Sequence, residues 1–511
     1  MPASPSVIED LHSSLELHAA RPAFVVRQEV TRYADLAQDT LALAAELQRL
    51  APQDALVGFL CNRDASAYRA VLAILLAGKG YVPLNPKLPL ERLKKILSAA
   101  GLHHILIGQG CETIAGQLLP AMGDSVEGIA LQASHGAASA WRMPATDPRK
   151  PAYLLFTSGS TGEPKGVAVS HGNLAAYLGY ITDLYSYGPL DVHSQTFELT
   201  FDLSVHDMLC AWTRGGSVVR MGGAELLAPV RVVQRHGITS WFSVPSLGSM
   251  LASRGGLAPG AMPSLRVSLF CGEALPASLA AAWAAAAPGS IVENLYGPTE
   301  ATIAITRYRW DAATSPGECP RGLVPIGRAF DGQKTAVVDD EDHVLRGAGR
   351  GMLLLGGSQL TGSYWRDPLN TAEKYRELDG ERWYVSGDIV EVDDSGQLYF
   401  VGRSDSQVKF HGHRIELAEV EHALRTAVGT DLALVLPWPA VETRIDGLTA
   451  VVEGEGDAAL ILTRLRDSLP DYMVPQALYF VAQLPRNMSG KLDRNALLRS
   501  LQNGALQVDE A

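Results

Sequence analysis

Residues 154–171 read LLFTSGSTGEPKGVAVSH, in which a short apolar run leads into a loop of glycine, serine and threonine that ends in a lysine. Glycine lets the backbone approach an anion without obstruction by a side chain, hydroxyl groups donate hydrogen bonds, and lysine adds a positive charge. This combination predicts a phosphate-binding loop after a strand. Its candidate ligands are Thr157, Ser158, Gly159, Ser160, Thr161, Gly162, Lys165 and Gly166.

Two other interpretations of this loop explain less of it. The loop of P-loop NTPases has four residues between its glycines and then Lys-Ser or Lys-Thr, whereas Lys165 is followed here by Gly166. The pattern therefore excludes that class. A plain turn between two strands would use the same glycines and serines, but it would not require a cation in the same run.

The run TSGSTGEPKG at residues 157–166 resembles the phosphate-loop signature of the adenylate-forming enzymes, the superfamily of acyl-CoA synthetases, luciferases and amino-acid adenylation domains. Further motifs follow in the family's order, so the resemblance covers the chain from about residue 36 to residue 498. It implies an α/β fold with a large N-terminal domain, residues 1–404, that binds ATP and an amino acid. That domain would hold two α/β subdomains rich in parallel strands and a distorted β-barrel subdomain. A small, mobile α+β C-terminal domain, residues 405–511, would carry the catalytic lysine.

Composition agrees with this class. A chain of 511 residues exceeds one ordinary core and should form at least two domains. Its net charge of −12 disfavours nucleic acid or an anionic membrane as a partner. The five cysteines show neither metal spacing nor an even disulfide framework. The first ten residues lack the pattern of a secretory signal, and no apolar run reaches membrane-spanning length. We therefore expect a cytoplasmic protein with reduced thiols.

Short β-rich runs alternate with alanine-rich helical stretches, which is typical of parallel sheets covered by helices. The predicted strands are 55–59, 80–83, 154–156, 194–196, 217–220, 238–243 and 268–270. The predicted helices are 66–77, 89–100, 278–286 and 417–424. Beyond residue 351 the pattern changes, and runs 351–355, 388–392 and 397–401, separated by turn residues, predict antiparallel strands.

The run YGPTE at residues 296–300 resembles a second motif of the family. The resemblance implies that Tyr296 packs near adenine, that Thr299 contacts phosphate with a catalytic role, and that Glu300 holds Mg²⁺. One carboxylate is a usual protein contribution to a magnesium site, because phosphates and water supply the remaining ligands. Without the motif, a glutamate after a Gly-Pro turn would more often be a surface acid.

Three further residues are assigned by resemblance. The run YVSGD resembles the family's YxTGD motif, with Ser386 in place of threonine, and it implies that Asp388 accepts hydrogen bonds from the ribose hydroxyls. Arg403 resembles an arginine that also contacts the nucleotide. LPRNMSGK resembles the PxTxxGK loop, although Asn487 and Ser489 depart from its usual residues. Lys491 at its end would be catalytic and would neutralise charge on the carboxylate and the α-phosphate.

The segment after residue 402 resembles the family's hinge. Asp405 stands at the hinge position, where a residue absorbs the backbone change as the small domain rotates. From the residues alone, an ordinary surface turn would be the favoured explanation, and it is the resemblance that indicates a hinge. The turn at Gly412 resembles the stretch that lines the passage for a phosphopantetheine arm after rotation.

The run TFDLSVHD at residues 200–207 indicates which acid is activated. Asp202 stands where amino-acid-activating members keep an aspartate that pairs with the α-ammonium group. A buried carboxylate in an apolar pocket needs a cationic partner, and the substrate would supply it. The alternative is an aspartate that caps the helix beginning near Ser204.

The rest of the substrate pocket is inferred by aligning the motifs. Its residues are Leu203, His206, Phe242, Leu269, Cys271, Leu295, Ile303 and Ala304. The lining offers neither a carboxylate nor an arginine for a charged side chain, so it predicts a small neutral amino acid. The order of residues resembles standalone L-proline adenylation enzymes, whereas Cys271 and the run YGPTEATIAI resemble D-alanine carrier-protein ligases. We favour L-proline. His206 is either a core histidine beside the pocket or a substrate contact.

The acceptor thiol is inferred to lie on a separate protein. No segment after Leu498 resembles a carrier-protein motif, and the closest resemblances are to enzymes that load carrier proteins. Coenzyme A is the alternative acceptor, and an acyl-CoA synthetase is the alternative enzyme. A catalytically silent scaffold is the alternative of another class, and it would have little reason to retain Lys165, Glu300, Asp388, Arg403 and Lys491 together.

Overall fold

The structure is a computed structural model that describes residues 6–131, 137–159, 163–405, 407–441, 444–445, 447–486 and 492–503. Within these ranges no helix is both long and apolar enough to cross a membrane. All five cysteines are free thiols, as the sequence predicts.

The α-helices of the described residues are α1 (Val7–Leu17), α2 (Tyr33–Leu50), α3 (Ala65–Leu76), α4 (Leu90–Ala100), α5 (Glu112–Met122), α6 (His171–Leu184), α7 (Leu203–Trp212), α8 (Pro229–His236), α9 (Pro245–Ser253), α10 (Ala277–Ala286), α11 (Pro368–Lys374), α12 (Leu417–Val428), α13 (Ala458–Arg466) and α14 (Arg494–Gln502). Short 3₁₀ turns lie at Gly123–Ser125, Ala138–Ala140, Gly223–Leu227, Thr299–Ala301, Ser315–Glu318 and Asp471–Met473.

The strands of the same residues are β1 (Pro22–Val26), β2 (Glu29–Arg32), β3 (Leu56–Leu60), β4 (Gly80–Leu84), β5 (His104–Ile107), β6 (Glu127–Ala130), β7 (Pro151–Thr157), β8 (Lys165–Ser170), β9 (Val192–Gln195), β10 (Ser217–Arg220), β11 (Ser240–Ser243), β12 (Val267–Phe270), β13 (Ile291–Tyr296), β14 (Thr306–Arg309), β15 (Arg328–Ala329), β16 (Gln333–Val338), β17 (Gly349–Gly357), β18 (Tyr375–Leu378), β19 (Glu381–Val392), β20 (Leu398–Arg403), β21 (Gln407–Phe410), β22 (His413–Glu416), β23 (Ala433–Pro437), β24 (Ala440–Val441), β25 (Arg444–Ile445), β26 (Leu448–Glu453) and β27 (Ala477–Val481). Each strand and helix predicted from the sequence corresponds to an observed one with ends within four residues, except that the predicted run 388–392 is only the end of the longer strand β19.

Two sheets carry the parallel part of the fold. In the described chain, one has the order β15-β14-β13-β12-β11-β9-β10-β1-β2, and the other has the order β6-β5-β3-β4-β7-β8. The neighbours from β1 through β13 in the first sheet are parallel, and antiparallel strands stand at both of its edges. Strands such as β12 are buried at every residue, which is expected where helices cover both faces.

A third sheet is antiparallel. Its described strands have the order β16-β17-β19-β18, with β20 also paired to β19. The predicted antiparallel strands beyond residue 351 correspond to β17, β19 and β20. Their apolar faces form a separate core around Leu353, Leu355, Tyr384 and Val390.

The chain forms two compact units. The first comprises Met1–Asn85, Ala100–Leu155 and Gly166–Ser404. The second comprises Pro86–Ala99, Phe156–Lys165 and Asp405–Ala511, and its core is built around Ile415, Val420, Val435 and Ala450. Its described strands form the sheet β23-β26-β27 and the hairpins β21-β22 and β24-β25. The predicted assignment of substrate binding to residues 1–404 and of the catalytic lysine to residues 405–511 stays a prediction.

Candidate active site

The candidate amino-acid pocket lies at the carboxyl ends of three neighbouring parallel strands, β11, β12 and β13. The register pairs Phe242 with Leu269 and Leu269 with Glu293. Because side chains alternate along a strand, Leu295 lies on the same face of β13 as Glu293. Cys271 directly follows β12, and its N–H donates to the Ser243 carbonyl at 3.3 Å. This edge of an open parallel sheet is where ligands bind in α/β folds.

Asp202 stands at the N-terminal boundary of α7, a helix buried at every residue. Its side chain makes no capping hydrogen bond, so the helix-cap interpretation is not its role in this structure. Asp202 is only 7 % exposed, and its Oδ2 atom is buried without a hydrogen-bond partner. An unpaired carboxylate oxygen in an interior is costly unless a cation reaches it. The site therefore fits a positively charged ligand group.

Burial raises the pKa of Asp202 to about 6. A hydrogen bond from the Thr299 side chain lowers this pKa, the nearby charge of Glu300 raises it, and the backbone N–H groups of Leu203 and Ile303 lower it. Asp202 therefore lies beside the YGPTE motif, although 97 positions separate it from Thr299 in the chain. An approaching cation would favour the ionised carboxylate.

The predicted lining residues are all buried. Most of them belong to one apolar core: Leu203, Phe242, Leu269, Cys271, Leu295, Ile303 and Ala304. They share this core with Tyr177 of α6, which the sequence analysis did not single out.

His206 lies one helical turn after Asp202 on α7 and has no exposed surface. Its Nδ1 atom is hydrogen-bonded to the Tyr177 hydroxyl at 2.8 Å, and its ring meets Phe242 edge-on. Its Nε2 atom is buried without a hydrogen-bond partner. Burial lowers the pKa of His206 well below its usual value, so the imidazole is neutral. The hydrogen bond at Nδ1 is that of a core histidine. The Nε2 atom, which has no partner, is the nitrogen at which a substrate contact would form.

The YGPTE motif begins at the end of β13 and continues into the 3₁₀ turn Thr299–Ala301. Gly297 is needed there because a Cβ atom would lie 2.6 Å from the Cα of Ala304. Glu300 has no exposed surface, and its Oε1 accepts a hydrogen bond from the Tyr364 hydroxyl at 2.6 Å. A single buried carboxylate fits Mg²⁺ that shares its coordination with phosphates and water.

Asp388 and Arg403 face each other on neighbouring antiparallel strands. Their backbones are paired in register between β19 and β20, and their side chains form an ion pair. The Tyr296 hydroxyl also donates to Asp388. The predicted nucleotide residues Tyr296, Asp388 and Arg403 therefore form one connected group. Asp388 is acceptor-only when ionised, which fits hydroxyl donors such as those of a ribose.

Thr157, Ser158, Gly159 and Lys165 of the candidate phosphate loop belong to the second unit, and Gly166 belongs to the first. Ser158 and Gly159 already have partners within the second unit. The Ser158 hydroxyl donates to the Arg414 carbonyl at 2.7 Å and accepts from the Glu416 N–H at 3.1 Å. The backbone N–H of Gly159 donates to Glu419 Oε2 at 3.0 Å. The other oxygen of Glu419 pairs with Arg92, and both of these side chains are buried.

The remaining phosphate-loop residues are placed as follows. Gly159 must be glycine, because a Cβ atom would lie 2.0 Å from the Glu163 carbonyl oxygen. Thr157 ends β7, and Lys165 begins β8 as a buried residue. The Gly166 carbonyl accepts from the Trp365 N–H at 2.8 Å. Four predicted site residues lie outside the described residues: Ser160, Thr161, Gly162 and Lys491.

The hinge and passage candidates lie in the second unit. Asp405 Oδ1 accepts from the Gln407 N–H at 3.2 Å at the start of that unit's C-terminal part. Gly412 has φ of 80° and His411 has φ of 49°. Together they make the two-residue turn between β21 and β22, where both positions need left-handed backbone.

Sequence reasoning missed three residues at the site: Tyr177, Gln359 and Tyr364. Each is buried and contacts a predicted site residue or its loop. None stands in a motif quoted above, and a lone tyrosine or glutamine carries no signal in a single sequence. Their contacts arise only from long-range packing.

Known proteins of similar sequence and structure match most of the chain. The sequence profile of the AMP-binding enzyme family matches residues 11–365. An L-proline--[L-prolyl-carrier protein] ligase from Streptomyces coelicolor is 33 % identical, over 97 % of this chain and 96 % of that protein. A D-alanine--D-alanyl carrier protein ligase from Bacillus licheniformis is 28 % identical, over 96 % of this chain and 98 % of that protein. The crystal structure of the Vibrio cholerae adenylation domain AlmE with glycyl-adenosine-5'-phosphate is 31 % identical and has a TM-score of 0.86, covering 98 % of this chain and 99 % of that one.

Proposed function

The chain belongs to the AMP-binding enzyme family, and from this premise we propose that it uses ATP to adenylate a small neutral amino acid, with L-proline favoured. It then transfers the aminoacyl group to the phosphopantetheine thiol of a separate carrier protein. The family is one of ligases that activate carboxylic acids with ATP.

The observation that carries the amino-acid assignment is the unpaired Oδ2 atom of Asp202. A fatty or aryl acid has no cation to offer this carboxylate, whereas an amino acid brings its α-ammonium group. Binding of that group would compensate the desolvation that raises the pKa of Asp202. It would also hold the substrate next to Thr299 and Glu300.

The first step is proposed as an in-line displacement. A carboxylate oxygen of the amino acid attacks the α-phosphorus of ATP, and the bond to the bridging oxygen breaks so that pyrophosphate leaves with that electron pair. Thr299 and Lys491 would neutralise charge that develops on the α-phosphate. Mg²⁺ held by Glu300 would neutralise phosphate oxygens and orient the leaving group.

In the second step the carrier's thiol attacks the acyl carbonyl. The carbon–sulfur bond forms, the mixed anhydride bond breaks, the thiol proton is lost to solvent, and AMP leaves. Asp202 and the apolar wall keep the amino acid in place during both steps. Most of the rate enhancement would come from this positioning.

The lining supports a small, uncharged side chain. Its buried residues are aliphatic or aromatic, apart from Cys271 and the neutral His206. L-Proline is favoured by the order of the lining residues and by the prolyl ligase relative. D-Alanine is the second candidate, because Cys271 and the run after Glu300 resemble D-alanine ligases and one such ligase is a full-length relative.

ATP/pyrophosphate exchange across a panel of acids tests the proposal. The panel contains L-proline, D- and L-alanine, glycine, serine, valine and several aryl acids, with Lys491→Ala as the blank. We expect the strongest exchange with L-proline. Preference for D-alanine would make the second candidate correct, and exchange that does not need an α-amino group would favour an acyl-CoA synthetase. No exchange with any acid would favour the silent scaffold.

The acceptor needs its own test. Purified enzyme, ATP and the preferred amino acid are incubated with a phosphopantetheinylated carrier protein or with coenzyme A, and the thioester is measured by mass spectrometry. We expect loading of the carrier in preference to coenzyme A. Loading of coenzyme A alone would overturn this part of the proposal.

A further inference from the structure

The turn that follows the YGPTE motif is strained. Thr302 and Ile303 have φ of 58° and 71°, in the left-handed region, and both side chains are fully buried. Residues branched at Cβ adopt this region only at a free-energy cost, so such a turn persists only where neighbouring groups hold it. Ile303 and the next residue, Ala304, are the pocket-lining candidates that this turn presents.

One buried side chain holds the turn. Gln359 follows β17 and has no exposed surface. Its Nε2 donates to the carbonyl oxygens of Ala304 at 2.7 Å, Ala301 at 3.2 Å and Thr302 at 3.4 Å. The Thr302 hydroxyl donates to the backbone carbonyl oxygen of Gln359 at 2.5 Å. These contacts satisfy carbonyl groups that a strained, buried turn would otherwise leave unpaired.

The turn also reaches the carboxylate that binds the amino acid. The backbone N–H of Ile303 interacts with Asp202 and favours its ionised form. A change in the backbone at Thr302 and Ile303 would therefore move both this N–H and the pocket wall.

We propose that Gln359 is a positioning residue for the amino acid. By holding the left-handed turn at Thr302 and Ile303, it directs the Ile303 N–H toward Asp202 and fixes the wall formed by Ile303 and Ala304. It touches neither substrate nor nucleotide in this role. The inference rests on the proposed function, because it assigns to that site the residue that sets its geometry.

The test compares two variants of the full-length enzyme. Gln359→Met removes the amide and keeps a side chain of similar length. Gln333→Met is the matched control, because Gln333 Oε1 accepts from the Gln359 backbone N–H at 3.2 Å and its Nε2 donates to Ser358 at 3.0 Å. In the described contacts Gln333 makes no hydrogen bond to the turn. Both variants are first checked for cooperative thermal unfolding.

The kinetic readouts separate positioning from general damage. In Gln359→Met we expect the KM for the amino acid to rise about tenfold or more, and the KM for ATP to change by less than about threefold. The acidic limb of kcat/KM for the amino acid should move to higher pH, because Asp202 loses a donor that favours its ionised form. The charge of Glu300, which raises the pKa of Asp202, is the same in both enzymes. Selectivity between L-proline and D-alanine should fall. Gln333→Met should match the wild type in all of these.

Hydrogen–deuterium exchange gives a readout that needs no activity. The peptide containing residues 299–305 should exchange about tenfold faster in Gln359→Met than in Gln333→Met. Equal exchange in the two variants would overturn the inference even if no acid supports exchange of pyrophosphate. If the wild type is inactive but the peptide responds, only the proposed function fails.

A folded Gln359→Met enzyme with wild-type KM, pH limb and selectivity would also overturn the inference while leaving the proposed function intact. If this variant cannot be purified, Gln359→Asn replaces it. Its amide is one methylene shorter and cannot reach all three carbonyl oxygens, so the same expectations and the same contrary results apply.

Discussion

The candidate amino-acid pocket in the first unit and the described residues 157–159 of the candidate phosphate loop in the second unit differ in whether their polar groups already have partners. In the pocket, Asp202 keeps a buried oxygen without a partner. In the loop, the Gly159 N–H is already bonded to Glu419, and the Ser158 hydroxyl is bonded to backbone groups of Arg414 and Glu416. The pocket therefore lacks a cationic partner for Asp202, whereas the loop N–H of Gly159 is already bonded to the carboxylate of Glu419.

The difference teaches what each region must do when a ligand arrives. A cation that reaches Asp202 relieves an existing cost of burial. A phosphate that uses the Gly159 N–H must first displace a carboxylate that also neutralises the buried Arg92. We therefore expect binding at the pocket to depend on the charge of Asp202, and binding at the loop to require a rearrangement of Glu419 within the second unit. Four substitutions or conditions test this contrast.

The largest effect is expected from Asp202→Asn. The change keeps the size of the side chain and removes the charge that we propose pairs with the α-ammonium group. We expect kcat/KM for the amino acid to fall by about 10²–10³, the magnitude of losing one partner of a buried ion pair. The measurement is pyrophosphate exchange with the preferred amino acid.

Asp207→Asn is the control for that variant. Asp207 is a buried acid on the same helix. Burial raises the pKa of Asp207, and the nearby charge of Arg63 lowers it. We expect this variant to retain exchange within about tenfold even if it is less stable. Equal losses in Asp202→Asn and Asp207→Asn would refute a specific role for Asp202.

The pH dependence of the pocket is the next effect. Because burial raises the pKa of Asp202 to about 6, the carboxylate becomes protonated below that pH and can no longer pair with a cation. We expect kcat/KM for the amino acid to fall about tenfold per pH unit below pH 6 and to be level above it. A profile level down to pH 4.5 would contradict this assignment, provided that the enzyme is still folded.

A smaller effect is expected at the phosphate loop. Glu419→Gln leaves an oxygen near the Gly159 N–H but removes its charge, and a neutral acceptor is weaker. If ATP phosphates compete for this N–H, the KM for ATP should fall about threefold to tenfold. Glu421→Gln is the control, since Glu421 is a buried acid on the same helix that pairs instead with Arg494. Equal KM values for ATP in the two variants would show that ATP phosphates do not compete with Glu419 for the Gly159 N–H.

The smallest effect is on stability. The pKa of Asp202 is higher in the folded protein than in the unfolded chain, so its contribution to folding is most favourable at low pH and is lost as the pH rises through about 6. Two pKa units correspond to roughly 3 kcal/mol, and we expect Asp202→Asn to recover about 1 kcal/mol at pH 8 because its amide is also desolvated. Thermal unfolding at pH 8 should show a Tm higher by about 1–3 °C. A lower Tm would show that the carboxylate stabilises the fold.

Much of the fold could be predicted from local patterns. The alternation of β-rich runs and alanine-rich helices correctly located strands such as β7 and β12 and helices such as α3 and α10. Gly159 was singled out because glycine lets the backbone approach an anion, and in the structure a Cβ atom there would meet the Glu163 carbonyl oxygen. Such features are local, so a single sequence carries them.

Part of the site could not be predicted for the opposite reason. The pairing of Gly159 with Glu419 joins residues 260 positions apart, and Gln359 reaches Ala304 across 55 positions. Neither Gln359 nor Glu419 differs in type from many surface residues. Their roles depend on burial and on which donors and acceptors are left unpaired around them.

The sequence by itself determined the chemistry that the residues offer: a glycine- and hydroxyl-rich loop with Lys165, an acid after a Gly-Pro turn, and an aspartate in an apolar run. Only the tertiary structure decided which of these groups are paired. It leaves the Oδ2 atom of Asp202 without a hydrogen-bond partner, bonds Glu300 to the Tyr364 hydroxyl and bonds the Gly159 N–H to Glu419. The physical reason is that residue type and spacing set local backbone and charge, whereas desolvation and hydrogen-bond partners arise only when distant segments pack together.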